Sequence, residues 1–269
     1  MSDGSGGPAA VLVTVGDELL HGETVDSNSA WLGRRLSAMG FEVAVRYTVG
    51  DVAADIRRAL ERGLEEGRLV LFTGGLGPTP DDLTRPVVAE TLDAPLRLES
   101  AILEALRERF LRRGFDELPE SNVSQAQVPE GAEALPNPRG TAPGLLLEAP
   151  GGRVVALLPG VPGEMEGIFE EELSPRLRER FGDDLRPVRH RLIHTTGISE
   201  SDLTDRIDEV LPDDLGPVSV AFLPDVTGVD LRLTVRGVQA DGEATRHLDR
   251  VEHAVADRDR EHAADHRQR

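Results

Sequence analysis

Short apolar runs alternate with amphipathic segments along the first two thirds of the chain. The runs at 9–15, 41–49 and 69–72 are rich in Val, Leu and Phe, which predicts strands, and the last of them reads as buried. The spacing of apolar residues in 27–39 and 51–66 predicts helices. Because such alternation favours right-handed crossovers, we predict an α/β domain of three layers, doubly wound around a mostly parallel sheet.

The same kind of spacing continues up to a predicted helix at 163–181. Further helices are predicted at 84–92, 101–113 and 120–127, and further strands at 145–147 and 154–158. The helix at 163–181 should break or kink at Pro175, because proline does not fit inside a helix. We expect Ser27 or Asn28 to cap the first helix, and Gly40 to stop it.

The order of elements changes near Asp183. Beyond it, strands are predicted at 188–195, 218–222 and 229–235, and helices at 201–211 and 241–256. This order favours a small α+β domain with an antiparallel sheet. We therefore predict domains at 9–182 and 183–256, followed by a disordered tail at 257–269 whose charged sequence lacks apolar periodicity.

The composition indicates a globular protein with a strongly acidic surface. Of the 269 residues, 39% are hydrophobic and 3% aromatic, so aliphatic side chains must fill the core. There are 49 acidic and 30 basic residues, for a net charge of −19, and every basic residue is arginine. Such a surface repels phosphate backbones, which argues against a nucleic-acid partner. The acidity suggests a surface adapted to high salt, whereas the absence of lysine fits that adaptation and GC-rich codons equally well.

The sequence gives no sign of a membrane segment, a secretion signal or a disulfide. No apolar run approaches the length of a membrane span, residues 1–8 lack a basic start, and there is no cysteine. We therefore expect a cytoplasmic protein that has no membrane partner.

A glycine-rich loop with two adjacent carboxylates follows the strand at 69–72. Three glycines come after Thr73, and Asp81 and Asp82 follow them. Glycine lets backbone N–H groups approach a ligand closely, whereas adjacent carboxylates repel each other unless a cation or strong donors lie nearby. Asp82 or Thr84 is placed to cap the next helix. The loop thus predicts a phosphate cradle beside a divalent metal site, and the alternative is a tight turn with a solvated helix start.

Three loops rich in Gly, Pro and acidic residues follow predicted strands. They lie at 16–18, 74–82 and 159–164, and the segment 136–144 is a candidate crossover loop to the same place. In an open parallel sheet the carboxyl ends of the strands share one edge, where ligands bind. We expect these loops to form one pocket, although each alone is explained as well by an ordinary turn or helix start.

The side chains in these loops are carboxylates, hydroxyls and amides. Only His21 lies near a first-domain loop, and the chain has no lysine for a Walker-type loop. This set suits metal-assisted hydrolysis of a phosphoanhydride, and it suits equally the binding of a phosphorylated ligand without turnover.

Several motifs, taken in order, resemble those of the CinA family (competence/damage-inducible protein A). They cover most of residues 10–170 and lie at 15–20, 22–32, 48–51, 73–84, 137–144 and 158–165. The first domain resembles the molybdopterin-binding, MoaB/Mog-like domain of that family, and the second resembles its small KH-like domain. We expect the chain to lack the C-terminal nicotinamide-nucleotide amidohydrolase domain of full-length members.

The resemblance implies a metal-dependent pyrophosphatase that converts ADP-ribose to AMP and ribose 5-phosphate. It assigns Asp81 and Asp82 to metal binding and catalysis, with Glu18 as a supporting acid. The ligand- and phosphate-binding positions that it implies are Gly16, Asp17, Asn28, Thr73, Gly74, Gly75, Gly77, Thr79, Asn137, Gly140, Thr141, Pro159, Gly160 and Glu164. The alternatives are a module that binds molybdopterin or a nucleotide without catalysis, and a regulatory fragment.

The implied cofactor is a divalent metal ion (Mg, Mn or Co), with a monovalent cation as a further candidate, because carboxylate sites admit several ions. We expect a nucleotide or pterin ligand and a homodimer. The family usually has Thr where Asp17 stands and often Lys where Pro80 stands. The missing lysine removes one phosphate contact, so rate and substrate range are the properties that this departure affects.

Salt should stabilise this protein. Because the net charge of −19 makes the folded chain repel itself, added ions should screen that repulsion and raise the melting temperature. Thermal unfolding in low and in molar salt measures the effect, with a homologue of near-zero net charge as the control for salting-out. An unchanged melting temperature would contradict the prediction.

Overall fold

The computed structural model describes residues 6–196, 198–208, 211, 215–225, 228–238 and 241–265. It divides into two compact units, the larger formed by Pro8–Ser37 and Phe41–Asp184, and the smaller by the described parts of 1–7, 38–40 and 185–269. Each unit has its own sheet and its own buried apolar cluster. Among the described helices, none is long and apolar enough to cross a membrane.

Eight strands belong to the larger unit. They are β1 (Ala9–Val15), β2 (Glu42–Val49), β3 (Leu69–Thr73), β4 (Leu96–Leu98), β5 (Gln127–Pro129), β6 (Glu133–Leu135), β7 (Gly144–Ala149) and β8 (Arg153–Leu158). Six of them form one sheet in the order β2-β1-β3-β8-β7-β6, while β4 pairs with β5. The strands β2, β1, β3 and β8 are parallel, and β7 and β6 extend the sheet in antiparallel fashion. The predicted, mostly parallel sheet is therefore confirmed.

Helices cover both faces of this sheet. They are α1 (Asp17–Leu20), α2 (Ser27–Met39), α3 (Ala53–Glu66), α4 (Thr84–Thr91), α5 (Ser100–Arg112), α6 (Pro162–Ile168) and α7 (Ser174–Phe181). On one face, α3 and α4 pack in the same apolar cluster as Val13 and Phe72. On the other face, Trp31 of α2 meets Phe169 edge to face, with ring centroids 5.3 Å apart. Because β3 is buried along its whole length, the three predicted layers are confirmed.

One predicted helix differs in the structure, and the predicted break of another is present. The helix predicted at 120–127 is a 3₁₀ helix, Glu120–Ala126, because Gln127–Pro129 pair with β4. The helix at 163–181 is interrupted by a π-helical turn, Phe169–Leu173, just before Pro175. The proline cannot donate the backbone hydrogen bond of a continuous helix, so the ladder changes register in front of it.

The smaller unit has three antiparallel strands in the order β10-β11-β9. Its elements are β9 (Val188–Ile193), α8 (Glu200–Asp208), β10 (Val218–Asp225), β11 (Gly228–Arg236) and α9 (Asp241–Asp265). Leu231 and Leu233 of β11 pack in the clusters that contain the apolar residues of α8 and α9, respectively. The predicted small α+β domain is confirmed.

The predicted disordered tail at 257–269 differs from the structure, because α9 continues to Asp265. A helix that already runs from Asp241 extends at little cost, because each further residue adds one backbone hydrogen bond. The rest of the predicted tail, 266–269, lies outside the described residues.

The turn after β3 requires glycine at position 74. Gly74 has a φ of 106°, and a β-carbon added there would lie 2.2 Å from the carbonyl oxygen of Val15. Gly114 also has a positive φ, 86°, but nothing lies within 4 Å of its added β-carbon. We expect Gly114→Ala to lower the free energy of unfolding by about 1–2 kcal/mol, and Gly74→Ala by more than about 3 kcal/mol. Chemical denaturation measures both; equal losses would show that the close approach to β1 does not matter.

Candidate functional site

Five loops of the larger unit meet at the carboxyl edge of its parallel strands. Residues 16–18 follow β1, 50–51 follow β2, 74–82 follow β3 and 159–164 follow β8. The 136–143 loop reaches the same edge because β6 and β7 are antiparallel to their neighbours. The chain passes from β1 outward to β2 and then back to β3, so β1 and β3 mark the switch point at which ligands bind in such sheets.

A cavity of about 110 Å³ opens at the switch point, at the ends of β1 and β3. Four predicted site positions line it, namely Glu18, Asn28, Thr73 and Gly160. The edge therefore offers a recess beside the glycine-rich loop.

Asn28, near the start of α2, connects three elements at this recess. Its Nδ2 donates to Thr73 Oγ1 at 3.1 Å and to the carbonyl oxygen of Gly160 at 2.8 Å. Thr73 Oγ1 in turn donates to the carbonyl oxygen of Pro159 at 2.9 Å. The Oδ1 atom of Asn28 is buried and has no hydrogen-bond partner among the described residues. A buried acceptor without a donor is costly, so this oxygen indicates where a ligand or a water molecule binds.

Asp26, rather than Ser27 or Asn28, caps α2. Its Oδ1 accepts the backbone N–H of Ser29 at 2.9 Å, and its Oδ2 accepts the hydroxyl of Thr14 at 3.0 Å. The predicted cap was therefore wrong by one or two positions, because the Asp side chain reaches the third N–H of the helix. This cap fixes the first turn of α2, and with it the direction of Asn28.

The glycine-rich loop is tied to the start of α4. Thr84 Oγ1 donates to the carbonyl oxygen of Gly74 at 2.8 Å, and the Thr84 N–H donates to that of Gly75 at 3.1 Å. Gly75 has a φ of 67°, and a β-carbon there would overlap the Thr84 hydroxyl at 2.2 Å. The two left-handed glycines therefore let the chain turn sharply from β3 into an exposed backbone segment.

Asp82 closes this loop instead of capping the helix. Its Oδ1 accepts the Gly77 N–H at 2.7 Å, and its Oδ2 accepts the Thr79 N–H at 2.8 Å and the Thr79 hydroxyl at 2.6 Å. Residue Leu83 precedes α4, which has no side-chain cap. The predicted cap by Asp82 or Thr84 was therefore wrong, because both side chains bond back into the loop. Asp81, in contrast, is exposed.

Arg85, which the sequence analysis did not select as a site residue, is hydrogen-bonded to the glycine-rich loop. It is 4% exposed and donates to the carbonyl oxygens of Leu76, at 2.8 Å, and Ser124. Burial lowers the pKa of its guanidinium to about 10, and the charge of Asp82 opposes this shift. The sequence contained a signal for its burial. Arg85 stands three residues before Val88 and four before Ala89, so all three lie on the same, buried face of α4.

Carboxylates crowd the ends of β1 and β2. The Asp17 N–H donates to Asp51 Oδ2 at 3.1 Å, and the Asp51 N–H donates to Asp17 Oδ1 at 3.2 Å. Partial burial raises the pKa of Asp51, the charges of Asp17, Glu18 and Asp81 raise it further, and the bond from the Asp17 N–H opposes them. Gly16 is packed against Glu18, since a β-carbon there would lie 2.6 Å from its carboxylate.

A third group of predicted residues forms around Asn137. Its Oδ1 accepts the N–H groups of Arg139, at 3.0 Å, and Gly140, at 2.8 Å, and its Nδ2 donates to Glu164 Oε2 at 2.7 Å. A β-carbon at Gly140 would overlap the Glu164 carboxylate. Burial lowers the pKa of the nearby Arg109, the charges of Arg113 and Arg112 lower it further, and that of Glu164 opposes them. Thr141 is half-buried in the same loop.

Residues 11–179 match the family model described as a probable molybdopterin binding domain, and residues 190–262 match that of the damage-inducible protein CinA KH domain. The chain belongs to the CinA family. The family predicted from the motifs is thus confirmed.

Relatives of the CinA family support this assignment. A CinA-like protein of Salinibacter ruber is 48% identical over 249 residues, which cover 93% of this chain and 59% of that protein. A putative competence-damage inducible protein of Symbiobacterium thermophilum is 47% identical over 67% of this chain and 42% of its own length. The chain therefore spans about half of the length of these curated relatives.

A crystal structure of CinA from Thermoplasma acidophilum, described as a protein of unknown function, matches with a TM-score of 0.58. It is 36% identical and covers 63% of this chain and 98% of its own chain. The similarity supports the common CinA fold.

The predicted metal donors Asp81 and Asp82 have different surroundings in the structure, and their role in metal binding stays a prediction. Both oxygens of Asp82 accept donors of its own loop, while Asp81 is exposed. Within the described part of the chain, no group of three or more His, Asp or Glu side chains is arranged to hold a metal ion. A cation here would need phosphate oxygens of a ligand to complete its coordination.

The predicted site residues thus form three groups on one edge, beside the acid cluster that contains Asp17 and Glu18. Asn28, Thr73, Pro159 and Gly160 line or support the cavity, Gly77, Thr79 and Asp82 form the glycine-rich loop, and Asn137, Gly140 and Glu164 form the third group. Asp51 lies beside Asp17 at the ends of β1 and β2, although the sequence analysis named it only within the 48–51 motif.

Neutralising Asp51 should stabilise the protein at neutral pH. The pKa of Asp51 is raised above 3.8 in the folded state. Between the unfolded and the folded pKa, the folded state binds more protons than the unfolded state, so the free energy of unfolding falls as the pH rises. Asp51→Asn removes this cost and keeps an oxygen for the Asp17 N–H. We expect a melting temperature about 1–2 °C above wild type at pH 7, with a difference that shrinks toward pH 4.

The matched control for this measurement is Asp55→Asn, which loses an ion pair with Arg58 at 2.8 Å and should not raise the melting temperature. A lower melting temperature of Asp51→Asn at pH 7 would show that the carboxylate stabilises the fold.

Proposed function

We propose that the larger unit binds a phosphorylated small molecule of nucleotide or pterin type across its carboxyl edge. The phosphate groups lie along the 74–79 loop, and the rest of the ligand enters the cavity. The observation that carries this proposal is the buried, unpartnered Oδ1 of Asn28 in a recess beside a glycine-rich loop. The family's description as a probable molybdopterin binding domain supports the same class of ligand.

The loop has properties that suit phosphate. Gly75 and Gly77 let the loop pack closely against Thr84 and Asp82, since β-carbons there would overlap those side chains. Arg85 places a buried positive charge beneath it, which partly offsets the charge of Asp82. The bonds from Gly77 and Thr79 to Asp82 hold the loop in one shape before a ligand arrives.

Metal-dependent hydrolysis of ADP-ribose to AMP and ribose 5-phosphate is a second candidate. It is favoured by the crowded carboxylates of Asp17, Glu18, Asp51 and Asp81, since burial and then the charges of the other three raise the pKa of Asp51. A divalent cation (Mg, Mn or Co) between these acids and a diphosphate would relieve the repulsion and supply Lewis-acid polarisation of the phosphoanhydride. In this version Asp81 and Glu18 face the ion, and Asp82 shapes the loop. A monovalent cation and a homodimer are further proposals for the same protein.

Asp82→Asn should weaken the binding of ADP-ribose and AMP by about tenfold. The Gly77 and Thr79 donors now share the two carboxylate oxygens of Asp82, whereas Asn has only one side-chain oxygen. Its NH₂ group would therefore face either the Gly77 N–H or the Thr79 donors, and the loop would loosen. Titration calorimetry with and without Mg²⁺ measures affinity, and thermal unfolding should show a lower melting temperature.

Asp81→Asn is the matched control, because it removes the charge of the adjacent, exposed carboxylate and none of the hydrogen bonds that Asp82 accepts within the loop. We expect it to leave the melting temperature unchanged and to alter only the metal-dependent part of binding. Release of AMP from ADP-ribose by wild type with a divalent ion, lost in Asp81→Asn, would support the hydrolase. If wild type binds neither ligand with any ion, the proposed function is wrong.

A further inference from the structure

Three side chains at the floor of the cavity, those of Asn28, Thr73 and Thr14, already use their hydrogen-bond donors within the protein. Both hydrogens of Asn28 Nδ2 go to Thr73 Oγ1 and the Gly160 carbonyl oxygen. The Thr73 hydroxyl donates to Pro159, and the Thr14 hydroxyl donates to Asp26. Because the Gly160 oxygen can only accept, the Asn28 amide cannot be turned around, and its free Oδ1 must be the acceptor.

The remaining charges at the cavity are negative. Glu18 and Asp26 line it, and no arginine is among the described lining residues. A phosphate group presents only acceptors and negative charge, so the floor would repel it. The cavity is therefore unsuited to a phosphate group.

Apolar groups form the other walls of the cavity. Val15, Leu19, Val25 and Pro162 line it, and the side chain of Val25 is 85% exposed at this edge. Such walls suit the faces of a planar ring or a sugar more than those of an ion.

We infer that the cavity receives an uncharged, hydrogen-bond-donating part of the ligand, a sugar hydroxyl or a ring amino group, which donates to Asn28 Oδ1. This inference rests on the proposed function and fixes the direction of the ligand: the donor-bearing end points into the sheet edge, and the phosphates stay outside on the 74–79 loop. Sugar and ring donors share this chemistry, and the experiment distinguishes them.

A double-mutant cycle that combines a change in the ligand with a substitution in the protein tests the inference. Titration calorimetry compares AMP with 2′-deoxy-AMP, 3′-deoxy-AMP and purine riboside 5′-monophosphate, each of which lacks one donor. In wild type, one of these deletions should weaken binding by about tenfold, because it leaves Oδ1 buried and unpaired. In Asn28→Ala the same deletion should cost less than about twofold, because the acceptor is gone. The analogue that shows the effect identifies a sugar or a ring donor.

Two variants and one probe separate this contact from general damage. Thr73→Val disturbs the same network but keeps Asn28 Oδ1, so the deletion should still cost about tenfold. Ser37→Ala, nine residues beyond Asn28 on α2, should behave as wild type. Inorganic pyrophosphate, which has no donor, should bind Asn28→Ala and wild type equally.

The possible results are distinct. Equal deletion costs in wild type and Asn28→Ala, or a pyrophosphate affinity that falls with AMP affinity, would overturn the inference while leaving the proposed function intact. Competition between potassium ions and AMP that disappears in Asn28→Ala would also overturn it, because the oxygen would then hold a cation. A wild type that binds none of the nucleotides would refute the proposed function, and this inference with it.

Discussion

Two hydrogen bonds from the side-chain amide of Asn28 hold the ligand-facing edge of the larger unit together. They connect the start of α2 with Thr73 at the end of β3 and with Gly160 after β8. Thr73 extends the connection to Pro159. Because both amide hydrogens are donated to Thr73 and Gly160, only the amide oxygen is left without a partner at the recess. In the proposed mode of binding, the interaction that builds the cavity also provides the acceptor for the ligand.

The two adjacent aspartates of the glycine-rich loop have different surroundings. Asp82 is held by three donors of its own loop, with the buried Arg85 as the nearest opposite charge. Asp81 is exposed and contributes to the potential that raises the pKa of Asp51. In the proposed hydrolase the cation would lie beside the acids at the ends of β1 and β2, whereas the charge of Asp82 shapes the loop.

The sequence predicted the sheet and the edge well because both depend on local patterns. Buried strands followed by glycine and acidic loops at residues 16, 74 and 159 indicate parallel strands with a common carboxyl edge. The partners of individual side chains could not be predicted in the same way. Whether Asp82 caps a helix or bonds back to Gly77 depends on a turn conformation, and the role of Arg85 depends on Ser124, which is distant in sequence. The short strands β4, β5 and β6 were missed because three residues carry no periodicity.

A crystal structure of the protein with bound AMP tests most directly how the edge of the sheet recognises its ligand. We expect a hydroxyl or amino group of AMP within hydrogen-bond distance of Asn28 Oδ1, and the phosphate against Gly75 and Gly77 outside the cavity. A phosphate group inside the cavity, or a ligand that leaves Asn28 Oδ1 without a donor, would contradict this arrangement.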